Sequence, residues 1–190
     1  MAELVELQPE DEMYEKIFKL TIGLSQNMSI EKIYAIINPT LQSIFEVGKF
    51  VIEEEIGGES EVFDLFHGSP EARKIAHEGF DLSLAKDCGI FGKGVYLTED
   101  SYQALDYSTC PDPESDKSDC TPQILLCQCI MGKHFRISQF IQCNKRVPPG
   151  FHSSALWITN LRVPRTTYCF PKREQVLPYA LIECRRRPRE

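Results

Sequence analysis

The chain has 190 residues, 42% hydrophobic and 26% charged, ordinary proportions for a soluble globular chain long enough to bury one real core. Its net charge of −7 argues against broad, charge-driven binding of nucleic acid, which needs a basic face. No run approaches the ~18 apolar residues of a membrane span, and the acidic opening Met1-Ala-Glu-Leu-Val-Glu is the opposite of a secretory n-region, so an intracellular chain, cytoplasmic or nuclear, is expected.

From Asp11 to Leu24 the apolar residues Met13, Ile17, Leu20 and Leu24 fall on one face of a helix, with Gly23 and Asn27 marking its end. Ser29 suits the N-cap of a second helix carrying Ile30, Ile33, Ile36 and Ile37, although Lys32 stands where a capping box places an acid. Asn38-Pro39 closes that segment, because proline restricts the residue before it. A third helical run, Thr40 to about Glu54, has Leu41, Ile44, Phe45 and Phe50 available for the core and runs out through acidic residues into Gly57-Gly58.

The stretch 61–108 concentrates the chemistry. An apolar run, Val62 to Phe66, ends at His67-Gly68-Ser69, and a helix-like segment follows from Glu71 to His77. Then come Gly89-Ile-Phe-Gly92-Lys93-Gly94-Val-Tyr96 and two further tyrosines, Tyr102 and Tyr107. Glycine, histidine and aromatics at loop ends let a backbone approach a flat ligand closely. A histidine beside a hydroxyl can bond a ribose diol, and paired aromatics can sandwich a planar ring. By themselves the same residues also describe a satisfied histidine at a strand end, a turn glycine, and a serine capping the helix that begins near Pro70.

Residues 109–122, rich in proline, serine and charge, read as a solvent loop. Gln123 to Met131 reads as a central strand buried on both faces, and Pro148-Pro149-Gly150 as a turn. Arg165–Phe170 and Val176–Cys184 have strand length and composition, with Pro178 suggesting an edge position or a strand start. The eight cysteines form no C-x2-C pair, and Cys127 with Cys129 on one strand face is a poor chelate, so reduced buried thiols and no metal are expected. No repeat or second domain is visible. The expected organisation is one domain over 1–190, with a helical part at 1–58, a sheet core at 59–184 and a basic tail at 185–190.

His67-Gly68-Ser69, Phe91 to Tyr96, and Tyr107 resemble the catalytic core of the poly(ADP-ribose) polymerase family of diphtheria-toxin-like ADP-ribosyltransferases. That family carries a histidine-glycine-serine/threonine motif, then FGKG(I/V)Y, then a tyrosine eleven residues on, which here is Tyr107. Three further segments are similar to family features. Ile30-Ile33-Ile36 with Asn38-Pro39 and Leu41 matches a helix before the first ligand-binding strand, Phe151-His152-Ser153-Ser154 a proline-glycine-tyrosine-aspartate-serine segment, and Gln175 to Ile182 the final strand. The resemblance implies an α+β fold, N-terminal helices followed by a split, mixed, mainly antiparallel sheet. It also implies NAD as substrate, with His67 on the adenosine ribose, Gly68 presenting its backbone to the carboxamide, and Ser69 near a ribose. Tyr96 and Tyr107 would flank the nicotinamide, with Tyr107 the main stacking face, residues 82–90 covering the donor, and Lys93 either near a phosphate or solvated.

Two positions depart from the family pattern. Polymerising members have a glutamate eight residues before the final-strand glutamine, and counting back eight from Gln175 lands on Thr167. Threonine offers a hydrogen bond but no charge and no base, and losing one preorganised electrostatic partner costs ~2.7–4 kcal/mol, about 10²–10³ in rate. Poly(ADP-ribose) synthesis is therefore not expected. Three residues before Tyr107, where the family has a carboxamide-binding serine, stands Ala104. That loss either weakens NAD binding by ~1 kcal/mol or is compensated by a neighbour such as Ser101. The resemblance leaves three activities open: transfer of one ADP-ribose unit to a protein or other acceptor, hydrolysis of NAD, or a catalytically silent binding module.

Overall fold

In the computed structural model, which describes residues 2–21, 24, 28–85, 89–108, 121–137, 146–158 and 165–186, the apolar run Gln123–Ile130 is a strand inside a mixed sheet. The strands in chain order are β1 (Glu3–Glu6), β2 (Met28–Ile37), β3 (Val62–Gly68), β4 (Val95–Thr98), β5 (Gln123–Ile130), β6 (His134–Ile137), β7 (Ser153–Ile158), β8 (Arg165–Phe170) and β9 (Val176–Arg186). Helices α1 (Glu12–Leu20), α2 (Pro39–Ile56), α3 (Ala72–Glu78) and α4 (Ser101–Leu105) are interspersed. Across the sheet the order is β1-β2-β9-β5-β3-β4-β8-β7-β6, antiparallel throughout except for β6 against β7. The expected α+β class and mainly antiparallel mixed sheet are borne out.

One joint in this sheet is weak. β3 pairs with β5 along all of Val62–Gly68, but meets β4 at the single pair Phe66–Thr98. The sheet is split there, and the end of β3 has a strand partner on one side alone. Apolar burial holds the two faces. On one, α3 presents Ala72 and Ala76, with Phe80 beyond its end, to Leu65, Val95, Leu125, Tyr168 and Phe170. On the other, Ile17 of α1 and Ala104 of α4 pack on Phe66, Ile124, Leu126 and Ile182. Phe45 and Ile52 of α2 form a separate cluster with Ile130 and Leu177. Ile124 to Cys127 of β5 are completely buried, as expected for a central strand.

Several expectations are overturned. The second helix is strand β2, paired with β1 and β9, so the part at 1–58 is not purely helical. The helix-like spacing of isoleucines arises from a bulge between Ile30 and Lys32, which adds one residue and resets the alternation. Met28, Ile30 and Ile33 therefore reach one core cluster, and Ile36 turns to the other. The Ser29 hydroxyl lies 3.4 Å from the Arg185 carbonyl across the ladder and caps no helix. Helix α1 stops at Leu20, which is 41% exposed, and the buried Leu24 lies beyond it.

Helix α2 begins at Pro39, capped by Asn38, whose Oδ1 accepts the Leu41 N–H at 3.2 Å. Its buried stripe is Phe45, Gly48 and Ile52, so Phe50, placed off that stripe, is 65% exposed and not in the core. Pro178 is near the start of its strand, third in β9, but not at an edge: β9 lies between β2 and β5. The register with β5 slips between Leu126–Ala180 and Cys127–Pro178, a bulge that accommodates a residue without an N–H. Arg185 and Arg186, expected in a tail, belong to β9, with Arg185 3.4 Å from Glu31. The expected loop at 109–120, the helix end at Gly23 and Asn27, the last tail residues and Cys88, Cys110, Cys120 and Cys143 lie outside the described residues. Cys127, Cys129, Cys169 and Cys184 are free and buried.

Candidate active site

The split between β3 and β4 is where the motif residues gather. Past Phe66 the two strands part, and His67 fills the gap with a side chain: its Nδ1 lies 2.8 Å from the Tyr96 carbonyl oxygen. A carbonyl can only accept, so Nδ1 carries the proton and a neutral ring keeps Nε2 as an acceptor. The ring stands edge-on to Phe80, centroids 5.0 Å apart. Burial lowers the pKa of His67 below 6.5 and outweighs the Tyr96 carbonyl, which acts the other way. The neutral form is therefore the resting one at neutral pH.

Gly68 follows, paired with Ile124 of β5. A Cβ built there would sit 1.7 Å from the Ala104 carbonyl oxygen and 3.2 Å from Tyr107 Cβ, so only glycine lets α4 close onto β3. Helix α4 is short but anchored. Asp100 Oδ1 accepts the Tyr102 N–H at 2.9 Å, and the Ala104 methyl is buried with Phe66 and Ile124. The Ala104 carbonyl, not its side chain, borders Gly68 and also accepts the Tyr107 N–H at 3.1 Å. Tyr107 leaves α4 at this point, 65% exposed. Ser101, the possible substitute donor, is buried. The Ser69 hydroxyl accepts the Glu71 N–H at 3.1 Å and its carbonyl accepts the Ala72 N–H, so Ser69 shapes the entry to α3 and retains its own proton.

The glycine-rich segment wraps one phenol. Tyr96 Oη accepts the Phe91 N–H at 2.9 Å and donates to the Gly92 carbonyl at 2.8 Å. A Cβ at Gly89 would fall 2.3 Å from that oxygen, which accounts for the glycine there. The Tyr96 ring packs against the cluster of Phe91, Leu156 and Cys169. Tyr96 thus serves as the fastening of the turn and supplies, through its backbone, the carbonyl that orients His67. Lys93 is exposed and Tyr102 is 39% exposed. Leu82–Leu84 forms one short helical turn, and residues 86–88 of the covering loop expected over 82–90 are outside the described residues.

Thr167 lies on β8 directly opposite Thr98 of β4, one pair away from the split. Its Oγ1 accepts from Gln103 Nε2 at 3.2 Å, and Gln103 Oε1 accepts from Thr98 Oγ1 at 2.9 Å. Sequence reading missed Gln103, and the available signal was its place one residue before Ala104 on a helix facing the strands. Glu99 does not substitute for a carboxylate at Thr167. It accepts from the Tyr168 hydroxyl, and strand alternation puts Tyr168 on the opposite face. Glu174 sits in a short turn packed against Gly48 of α2. Arg165 of β8 reaches Asp100 at 3.8 Å and Asp106 at 4.0 Å, at the two ends of α4. His67, Gly68, Tyr107 and Ala104 are brought together, with the Tyr96 backbone and Thr167 on the other side of the split. Among the described residues no cluster of histidine, cysteine or acid could hold a metal, and no helix is long and apolar enough to cross a membrane.

A family model described as the poly(ADP-ribose) polymerase catalytic domain matches residues 9–157, which include His67, Gly68, Ser69, Tyr96, Ala104 and Tyr107 and stop before Thr167. Among curated proteins, the human "Protein mono-ADP-ribosyltransferase PARP14" is 31% identical over 119 residues, 60% of this chain. The match covers 7% of that much longer relative.

Proposed function

Because the chain belongs to the poly(ADP-ribose) polymerase catalytic domain family, we propose that it binds NAD at the split between β3 and β4, cleaves the nicotinamide–ribose bond and transfers a single ADP-ribose unit to a protein or other acceptor. The observation that carries this reading is the neutral His67, its Nδ1 proton spent on the Tyr96 carbonyl, next to a side-chain-free Gly68 beneath an exposed Tyr107.

In this reading His67 Nε2 accepts a hydroxyl proton from the adenosine ribose. Gly68 meets the carboxamide with backbone N–H and C=O, and the Tyr107 ring lies against the nicotinamide. Ser69 retains a hydroxyl proton for a ribose, and Tyr96 contributes through His67 and the turn that it fastens. Nicotinamide departs with the electron pair of the glycosidic bond, and positive charge grows on the ribose through an oxocarbenium-like transition state. Holding the dinucleotide and steering that charge are the protein's main tasks. Thr167 lacks the carboxylate that would both stabilise the cation and activate an incoming sugar hydroxyl, so one transfer is supported and chain growth is not.

The purified chain incubated with NAD decides the matter. Free nicotinamide together with labelled ADP-ribose on protein supports transfer. Nicotinamide without label makes the chain an NAD hydrolase, and neither product makes it a silent module.

A further inference from the structure

The hydroxyl at the position of the missing glutamate is already engaged on one lone pair. Thr98 Oγ1 accepts the Asp100 N–H at 3.1 Å, so its own proton goes to Gln103 Oε1 at 2.9 Å. That orients the carboxamide, and its Nε2 donates to Thr167 Oγ1 at 3.2 Å. Having accepted this hydrogen bond on one lone pair, Thr167 Oγ1 still has its own O–H to give. Resting on the donor site described above, we propose that Gln103 is a positioning residue. It occupies one lone pair of Thr167 and leaves the O–H to be donated at the nicotinamide ribose, and thereby holds glycosidic cleavage slow.

The chemistry follows from the direction of that bond. As the carbon–nitrogen bond breaks and its electron pair leaves with nicotinamide, the ribose carbon becomes electron-poor. A group accepting from the neighbouring ribose hydroxyl enriches its oxygen and eases the charge, whereas a donor withdraws density and opposes it. A threonine hydroxyl can act either way, and the Gln103 amide, by occupying one lone pair and leaving the O–H unspent, favours the second. The acceptor then bonds to the ribose carbon and releases its own proton to solvent; neither Gln103 nor Thr167 gains or loses one.

Gln103→Glu is nearly isosteric; it replaces the donor by an acceptor and adds a negative charge. Its carboxylate keeps the Thr98 bond and accepts a hydrogen bond from the Thr167 O–H, turning the Thr167 lone pairs toward the ribose. Nicotinamide release should rise about tenfold or more over the unsubstituted chain, with the melting temperature and the NAD-dependent stabilisation preserved. The gain should fade as the pH falls through the carboxylate range, about 4 to 5. It should also disappear in the Gln103→Glu, Thr167→Val double variant. Gln103→Leu, which removes the donor without adding charge, should show a smaller rise of about threefold. Release at or below the unsubstituted rate in both Gln103 variants, with NAD still stabilising them, overturns the proposal. So does a gain that survives Thr167→Val, since it would belong to the bare charge. Absence of NAD-dependent stabilisation in the unsubstituted chain instead removes the donor site, and this proposal with it.

Discussion

Gly68→Ala is the most severe single-atom perturbation of this site. The added Cβ would lie 1.7 Å from the Ala104 carbonyl oxygen and 2.7 Å from its carbon, both backbone atoms, so no rotamer can relieve the overlap. Ordinary contact needs roughly 3.4 Å or more, so α4 or the end of β3 must move by roughly 1.5–2 Å. Such a shift breaks the Gln103 bonds to Thr98 and Thr167, each worth ~1 kcal/mol, and loosens the buried Ala104 methyl. Together with residual strain the cost is ~2–4 kcal/mol, which for a domain of this size lowers the melting temperature by roughly 5–15 °C. Because Tyr107 rides on the same backbone, NAD-dependent stabilisation should disappear as well. Thermal denaturation with and without NAD measures both effects. Gly58→Ala is the control, since a Cβ there meets nothing within 4 Å. A Gly68→Ala protein that melts within about 1 °C of the parent and still gains stability from NAD would refute the packing argument and the donor placement together.

His67→Ala and Tyr107→Ala should each abolish NAD-dependent stabilisation, which for a competent site amounts to ~2.7 kcal/mol at a ligand concentration about 100 times Kd. A normal thermal shift in both would remove them from the site. Tyr96→Phe loses the hydrogen bonds to the Phe91 N–H and the Gly92 carbonyl and should cost ~1–2 kcal/mol in denaturant titration; an unchanged midpoint would mean that the phenol does not fasten the turn. His134, lowered from 6.5 to about 4 mainly by burial, makes a separate contribution to acid sensitivity. Its folded-state pKa lies below the unfolded one, so its stabilising share is full above 6.5 and is lost as pH falls from there toward about 4. After allowance for its partial exposure that share is ~1–2 kcal/mol, and His134→Gln should flatten the fall in stability over this window. A curve unchanged by the substitution would contradict the assignment.

What could be read from the sequence was local. His67, Gly68, Tyr96 and Tyr107 belong to motifs whose spacing is set by a strand end, a turn and a short helix. Strand β5 was legible for a related reason: a strand buried on both faces leaves an unbroken apolar run. Strand β2 was not, because its bulge at Glu31 turns an alternating pattern into a three-residue spacing that imitates a helix. Pro178 was legible as a mark of a strand start but not of an edge, since a bulge near the start of a central strand tolerates what a regular ladder would reject. Gln103 and Thr167 are 64 residues apart, and no pattern along the chain announces a hydrogen bond that depends on β4 and β8 being neighbours.

That long-range contact changes what α4 is for. The same five-residue helix brings the Gln103 amide to Thr167, presses the Ala104 carbonyl on Gly68 and launches Tyr107 into the open. Its position is not set by Arg165: ion pairs of 3.8 and 4.0 Å to partly exposed aspartates contribute ~0–1 kcal/mol. Burial of Ala104 and the paired Gln103 bonds outweigh them. On the proposed reading, clamping the nicotinamide and setting the polarity at its ribose are therefore one mechanical event, and a change that displaces α4 should alter both together. Gln103→Glu, which leaves the helix in place, is the substitution able to separate them.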